Sequence, residues 1–132
     1  NSGLFSTAWD LFMMGHSLLE ESDGRMVPVR YKHLMFQDGA KFKGGRTYGW
    51  KCAFSSPVVK GILPPTAVGH HGFTGTSMWL SPSTSLRAGP ADKLARHGGS
   101  VYILLTNRVH PKVKPEGIDG CRREFHKAAR LR

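Results

Sequence analysis

Residues 69–77 read Gly-His-His-Gly-Phe-Thr-Gly-Thr-Ser and are the most distinctive part of the chain. Two adjacent imidazoles could transfer protons or bind a metal ion. Three glycines in seven residues would weaken an ordinary strand, but they suit a place where the backbone approaches a ligand or another element closely. This segment is therefore the first candidate for a functional site.

The histidines do not predict a metal site. His70 and His71 could bind an ion together with His97 or His110, but adjacent side chains on a strand point to opposite sides. No two histidines have the His-x-x-x-His spacing of a helical zinc site. The glycines only weakly indicate a Walker-type phosphate loop, because Lys-Ser/Thr does not follow the last glycine. We expect no metal ion and no other cofactor, and the alternative for these histidines is a surface turn.

Three blocks of the sequence resemble serine hydrolases of the β-lactamase and penicillin-binding-protein type. Residues 69–82 are similar to the third active-site motif of that family, which in many members begins Gly-His-Thr-Gly-Phe-Thr-Gly-Thr-Ser. Residues 104–111 resemble the strand that follows this motif, and residues 2–8 resemble the start of the helix before the last strands. The resemblance fails between residues 84 and 99, where we expect an insertion.

The resemblance implies acyl transfer to an active serine and a role for each residue of the motif. His70 takes the place of the family's Lys or His, and the backbone N–H of Phe73 is one oxyanion donor. These two are the candidate catalytic residues. His71, Gly72 and Thr74 are the candidate substrate-binding residues, with Gly72 letting the backbone come close to substrate. His71 stands where the family usually has Thr, so a ring replaces a hydroxyl that helps to hold substrate.

The two other motifs of the family are missing from this sequence. No serine is followed three residues later by lysine, and neither Tyr-x-Asn nor Tyr-x-Ser occurs. The resemblance thus predicts that residues 1–132 are the C-terminal portion of one β-lactamase-related domain and do not form a competent hydrolase alone. The expected partners are a small-molecule or peptide substrate, an ester, amide or β-lactam, and the missing N-terminal portion of the domain.

Two functions compete with acyl transfer: a non-catalytic role of the same fold, and nucleic-acid binding through the basic charge. The chain has 132 residues and a formal charge of +10, and a basic surface attracts nucleic acid, anionic lipid or acidic substrates. No nucleic-acid motif accompanies the charge, so a nucleic-acid partner is not expected. No segment approaches the ~20 apolar residues that span a bilayer. The first rival, favoured by His71 and the insertion, is a non-catalytic remnant or binding module of the same fold.

Periodicity predicts the helices at both ends. Either Ser6 or Thr7 can cap the first helix, and Asp10 lies three residues after Thr7, where it completes a weak capping box. Apolar residues from Ala8 to Leu19 follow helical spacing. The last helix is expected to bury one face and to turn its basic residues outward. The buried set is Ile118, Cys121, Phe125 and Ala128, and the outward set is Arg122, Arg123, Lys127 and Arg130. Cys52 and Cys121 could form a disulfide or remain two buried thiols.

The middle of the chain predicts strands joined through loops. Residues 47–55 alternate and read as a strand with Tyr48, Trp50, Cys52 and Phe54 on one face. A second strand is expected from Phe73 onward. A third, over residues 100–107, is apolar enough to lie near the centre of a sheet.

Other segments read as connections. Residues 26–29 are read as extended, residues 31–36 as a helical turn, residues 41–46 as a loop and residues 90–97 as a short helix. The expected fold class is α+β, an antiparallel sheet flanked by helices, a partial β-lactamase/transpeptidase-like fold with an open sheet edge.

Overall fold

A computed structural model describes residues 4–20, 23–37, 45–82, 99–113 and 117–130. Within these ranges the chain forms three α-helices and a four-stranded antiparallel sheet. The helices are α1 (Ala8–Leu19), α2 (Val29–Phe36) and α3 (Asp119–Arg130). The strands β1 (Lys51–Cys52), β2 (Val68–His71), β3 (Ser77–Ser81) and β4 (Ser100–Leu104) lie side by side in chain order. The α+β class is therefore confirmed.

Helix α1 begins as its sequence predicts. The Thr7 side chain accepts a hydrogen bond from the backbone N–H of Asp10 at 3.1 Å, and the Asp10 carboxylate accepts from the N–H of Thr7 at 3.3 Å. These bonds satisfy two of the N–H groups that a helix start leaves unpaired. The helix lies so close to the sheet that a Cβ on Gly15 would be 2.8 Å from a methyl of Val101.

Helix α2 is longer than the single turn predicted for residues 31–36. It begins at Val29, and residues 25–27 form a bend, so the expectation of an extended segment over residues 26–29 is wrong for most of its length. Pro28 stands immediately before the helix, where the fixed φ of proline and its missing N–H cost little. Lys32 of this helix is buried, and its ammonium donates to the backbone carbonyls of Ser17 and Glu20.

The strand predicted over residues 47–55 is wrong for most of its length, since only Lys51–Cys52 pairs as β1 and residues 53–55 form a short 3-10 helix. Gly49 has φ of 97°, which takes the chain out of the extended region. The hydroxyl of Ser55 then donates to the carbonyl of Cys52 at 2.8 Å and closes the turn. Tyr48 and Phe54 are exposed while Cys52 is buried, so the predicted face does not form.

The glycine-rich segment forms a hairpin instead of a strand that starts at Phe73. Strand β2 pairs with β3 from Val68 opposite Leu80 to His71 opposite Ser77. Residues 72–76 form the connecting turn, in which Gly75 has φ of 106°. A strand starting at Phe73 was predicted because alternation continues across the turn, and only the glycines mark the reversal.

Strand β4 is confirmed over residues 100–104, but it ends earlier than predicted. Within the described sheet it lies at one end of the order and pairs with β3, so the expectation of a central strand is wrong. Val101 and Ile103 pack towards one core and Tyr102 towards the other, which explains the nearly continuous apolar run.

Two apolar clusters lie on opposite faces of the sheet. Met78 and Leu80 face the cluster that contains Leu18, Leu19 and Phe36 from the helices α1 and α2. Trp79, which is fully buried, faces the second cluster, built from residues 53–67. Helix α3 packs near this second face, with His126 against the Tyr102 ring. The described sheet is thus covered by helices on both faces.

Some expectations lie outside the described residues. They are the short helix over residues 90–97, nearly all of the insertion over residues 84–99, and the loop from Lys41 to Gly44. Cys52 is buried and Cys121 is exposed, and they form no disulfide with each other.

Candidate functional site

His70 and His71 lie on opposite sides of β2, as adjacent strand residues must. His70 is exposed, and its Nδ1 lies 2.9 Å from the backbone carbonyl oxygen of His71. A carbonyl can only accept, so Nδ1 carries the proton and donates it. In the neutral ring this leaves the Nε2 of His70 without a proton and able to accept a hydrogen bond or a proton.

His71 is half-buried and held by a tryptophan. The indole Nε1–H of Trp79 donates to the Nε2 of His71 at 3.1 Å. Burial of the ring, and then the positive charge of Arg122, lower the pKa of His71 from 6.5 to about 4. The ring is therefore neutral at pH 7, with its proton on Nδ1.

The turn between β2 and β3 is built around Gly72 and Gly75. The N–H of Gly75 donates to the carbonyl of Gly72 at 3.1 Å, which makes residues 72–75 a β-turn with Phe73 as its second residue. A Cβ on Gly72 would lie 2.1 Å from the hydroxyl oxygen of Thr76. The close approach that requires glycine at 72 is thus within the hairpin, and its predicted contact with substrate stays a prediction.

Phe73 and Thr74 form the exposed tip of the hairpin. Arg108 holds this tip, because its Nε donates to the carbonyl of Phe73 at 2.9 Å and its backbone N–H donates to the carbonyl of Thr74 at 2.9 Å. The guanidinium carbon lies 4.9 Å from the centre of the Phe73 ring. The backbone N–H of Phe73 has no acceptor within the described parts of the chain.

The second half of β2 leaves one strand edge open. Strand β1 pairs only with Val68 and Gly69, whereas His70 and His71 pair with β3 and with no other described strand. The predicted oxyanion donor, the N–H of Phe73, comes directly after this stretch. A strand edge that no described strand covers, next to an N–H without an acceptor among the described residues, is a place where a substrate carbonyl could be bound.

A cavity of about 340 Å³ lies on the His71 side of the hairpin. Three of the five predicted site residues line it, namely His71, Gly72 and Phe73, whereas His70 and Thr74 do not. The other wall comes from Arg108 and from the first turn of α3, including Asp119 and Arg122. The predicted site residues therefore divide between two sides of β2.

Arg122 was expected to face solvent, and this expectation is wrong because its side chain is buried against the hairpin. Its guanidinium donates to three turn carbonyls, those of Gly72, Gly75 and Thr76, and forms an ion pair with Asp119. Cys121, expected inside, is exposed instead. No sequence signal identified Arg122, because the acceptors of its buried guanidinium are backbone carbonyls, and these are not visible in the residue types.

His126 is a second residue that sequence reasoning missed. It is fully buried, its Nε2 lies 3.1 Å from the hydroxyl of Ser77, and its Nδ1 has no hydrogen-bond partner in the described structure. Burial, with smaller effects of His71 and Arg122, lowers the pKa of His126 from 6.5 to about 4. Ser77 is buried as well, so this Ser–His pair is not accessible to a substrate.

The described residues contain no group of three metal-ligating side chains that could hold an ion. None of the helices described is long and apolar enough to cross a membrane.

The fold and site together define an α+β protein with an open strand edge beside a tight, arginine-braced hairpin. Comparisons with protein-family models, curated proteins and solved structures found no match. Any assignment of function must therefore come from the residues and their geometry.

Proposed function

We propose that this chain forms one wall of an acyl-transfer site in a serine hydrolase of the β-lactamase-related type. The substrate class is an ester, an amide or a β-lactam, and the reaction passes through an acyl-enzyme. The serine and its lysine are supplied by a segment that these 132 residues do not contain. The chain alone is inactive.

One observation favours this proposal above the others: among the described residues the N–H of Phe73 has no acceptor, and it follows an edge of β2 that no described strand covers. Acyl transfer places negative charge on the substrate's carbonyl oxygen, and a fixed backbone N–H can stabilise that charge. The N–H of the attacking serine itself would be the second donor. An exposed β-turn residue with its peptide held in place is suited to this role because it needs no reorganisation during the reaction.

His70 supplies the second element of the proposal. Its ring is exposed beside the same edge, and its Nε2 is the nitrogen left to accept a proton or a hydrogen bond. In the proposed site His70 takes the position of the family's Lys or His, facing the leaving group or a carboxylate of the substrate. Gly72 and Thr74 flank the bound substrate.

A binding module without chemistry is the second candidate, and the position of His71 favours it. The His71 ring, which stands where the family has threonine, has no hydroxyl to hold a substrate. It is also turned to Trp79 and lines the cavity, away from a substrate on the open edge. In this alternative the chain binds a cell-wall peptide or a lactam without turnover.

Covalent labelling separates the two candidates. The chain of 132 residues, and the same chain extended by the natural sequence upstream of it, are incubated with a fluorescent penicillin and with a fluorophosphonate. Intact mass spectrometry then counts the adducts. The proposal predicts one adduct on the extended chain, mapped to the serine of a Ser-x-x-Lys motif, and none on the chain of 132 residues.

Two other results contradict the proposal. Labelling of the chain of 132 residues would require a nucleophile within it, in conflict with the inactivity proposed here. No labelling of either protein, or an upstream sequence without Ser-x-x-Lys, would remove the enzyme function. Saturable binding of penicillin to an unlabelled protein would then support the binding module.

A further inference from the structure

Arg122 joins helix α3 to the turn of the hairpin through an unusually complete set of bonds. Its Nη2 donates to the carbonyl of Gly72 at 2.5 Å and to that of Thr76 at 2.9 Å. Its Nε donates to the carbonyl of Gly75 at 3.1 Å, and its Nη1 to the carboxylate of Asp119 at 2.9 Å. A guanidinium has five N–H donors in a rigid fork, so this arrangement uses most of them on one turn.

The bond to Gly72 also fixes the direction of the Phe73 N–H. The carbonyl of Gly72 and the N–H of Phe73 belong to the same peptide group, which is planar and trans. In a trans peptide these two groups point in opposite directions. Because Arg122 and the N–H of Gly75 hold the carbonyl on one side, the Phe73 N–H must point to the other side.

The charge of Arg122 strengthens the same N–H as a donor. A hydrogen bond from a cation to a peptide carbonyl polarises the peptide, and hydrogen bonds along such a chain reinforce one another. The side chain of Arg122 is only 7% exposed, so water screens this effect little. A lysine at this position would supply the charge without the fork.

We propose that Arg122 is a positioning residue that orients and polarises the Phe73 N–H as an oxyanion donor. This inference depends on the acyl-transfer function proposed above. Arg122 itself does not touch the substrate: it acts from the opposite side of the Gly72–Phe73 peptide. The proposal extends the functional site from the hairpin to helix α3, about fifty residues further along the chain.

The first test measures the Phe73 amide directly. Chains of 132 residues carrying Arg122→Met or Arg122→Lys are compared with the natural chain by ¹⁵N–¹H NMR. Arg123→Met is the matched control, because Arg123 lies on the same helix and donates to the carbonyl of Pro57 instead. We expect the Phe73 amide resonance to move upfield in Arg122→Met, to move less in Arg122→Lys, and to stay in place in Arg123→Met.

The second test measures acylation of the extended chain by penicillin, with the labelled fraction counted by intact mass. We expect Arg122→Met to lower the acylation rate constant at saturation about 10- to 100-fold, the effect of misplacing an oxyanion donor. The penicillin concentration at half-saturation should change little, and Arg122→Lys should recover part of the rate. A residue that only stabilises the fold would lower the fraction of labelled protein without changing the rate of the folded molecules.

The results of these two tests distinguish failure of the Arg122 positioning role from failure of the acyl-transfer function. If the natural extended chain is acylated and Arg122→Met reacts equally fast, the positioning role is overturned while the acyl-transfer function stands. If the natural extended chain is not acylated, the function and the role that depends on it both fail. An unchanged Phe73 amide in a folded Arg122→Met chain overturns the inference in either case.

Discussion

His71 and His126 are held neutral by their surroundings, and this gives the protein a defined response to acid. Burial lowers the pKa of both rings to about 4, from the ordinary value of 6.5 for histidine. Between these two values the unfolded chain binds protons that the folded chain does not. Stability is therefore fully present above about pH 6.5 and is lost as the pH falls towards 4.

The two histidines should titrate well below the usual range. In a ¹H–¹³C NMR titration we expect the ring Cε1–H signals of His71 and His126 to have midpoints near pH 4. Urea unfolding at pH 7 and pH 5 should show lower stability at pH 5, and His126→Gln should reduce that difference. A midpoint near 6.5 for either ring would show that its surroundings do not exclude the charged form.

Gly75 is required by both its backbone and its neighbours, and a second glycine separates these effects. Its φ is 106°, and a Cβ would lie 2.1 Å from the hydroxyl oxygen of Thr106 and 2.7 Å from Ile118. Gly49 has φ of 97°, but nothing lies within 4 Å of its Cβ position.

We expect Gly49→Ala to cost about 1–3 kcal/mol of unfolding free energy through backbone strain alone. Gly75→Ala should cost a further 1–3 kcal/mol or so because the new methyl must displace its neighbours. Urea midpoints of the two variants measure the difference. Equal losses would show that the turn can move away from Thr106 and α3 without cost.

The sequence could identify the exposed residues of the candidate site better than the buried ones. His70 and Phe73 belong to a recognisable string, and the structure places both at the surface of the hairpin. Arg122 and His126 were missed because an arginine or histidine on a helix is normally read as solvent-facing. Their burial depends on hydrogen bonds with groups of a hairpin that is distant in the chain: backbone carbonyls that accept from Arg122, and the Ser77 hydroxyl beside His126.

At the level of elements, α1 and α2 are joined by a buried lysine. The Lys32 ammonium donates to the carbonyls of Ser17 and Glu20, where α1 ends. The last carbonyls of a helix lack hydrogen-bond donors within it and carry partial negative charge. A cation placed there supplies the donors and balances the charge. This contact fixes α2 on the end of α1.

We expect Lys32→Met to lower the free energy of unfolding by about 2 kcal/mol or more, because buried carbonyls lose a charged donor. Arg30→Met, on the exposed side of the same helix, is the matched control and should cost under about 0.5 kcal/mol. Urea unfolding of the two variants measures both values. A Lys32→Met chain as stable as the control would mean that water replaces the ammonium.

Elements with local signals were the ones that sequence reasoning predicted correctly. The capping box of α1 involves residues three apart, and the apolar run of β4 is contiguous. The hairpin was misread because alternation alone cannot distinguish one strand from two strands joined through glycines. The segment 47–55 was misread because a positive φ at Gly49 leaves the alternating pattern unchanged.

At the scale of the whole molecule, different helices pack on the two faces of the sheet. Helices α1 and α2 cover the face that contains Met78 and Leu80 and supply much of the apolar core. Helix α3 covers part of the other face and braces the hairpin through Arg122. This division leaves the edge of β2 at His70 open within the described structure, next to the N–H of Phe73.

The claim that depends most on this arrangement is that the Phe73 N–H stabilises an oxyanion. Phe73 is the second residue of a β-turn, where proline is well tolerated. Phe73→Pro therefore removes the N–H with little change to the turn, whereas Phe73→Ala removes the ring and keeps the N–H.

The decisive measurement is the rate of penicillin acylation of the extended chain with each of these two substitutions. We predict that Phe73→Ala reacts at close to the natural rate. Phe73→Pro should react at about one hundredth of the natural rate or below. Equal rates for the two variants would contradict the assignment of the hairpin as the oxyanion-binding wall of an acyl-transfer site.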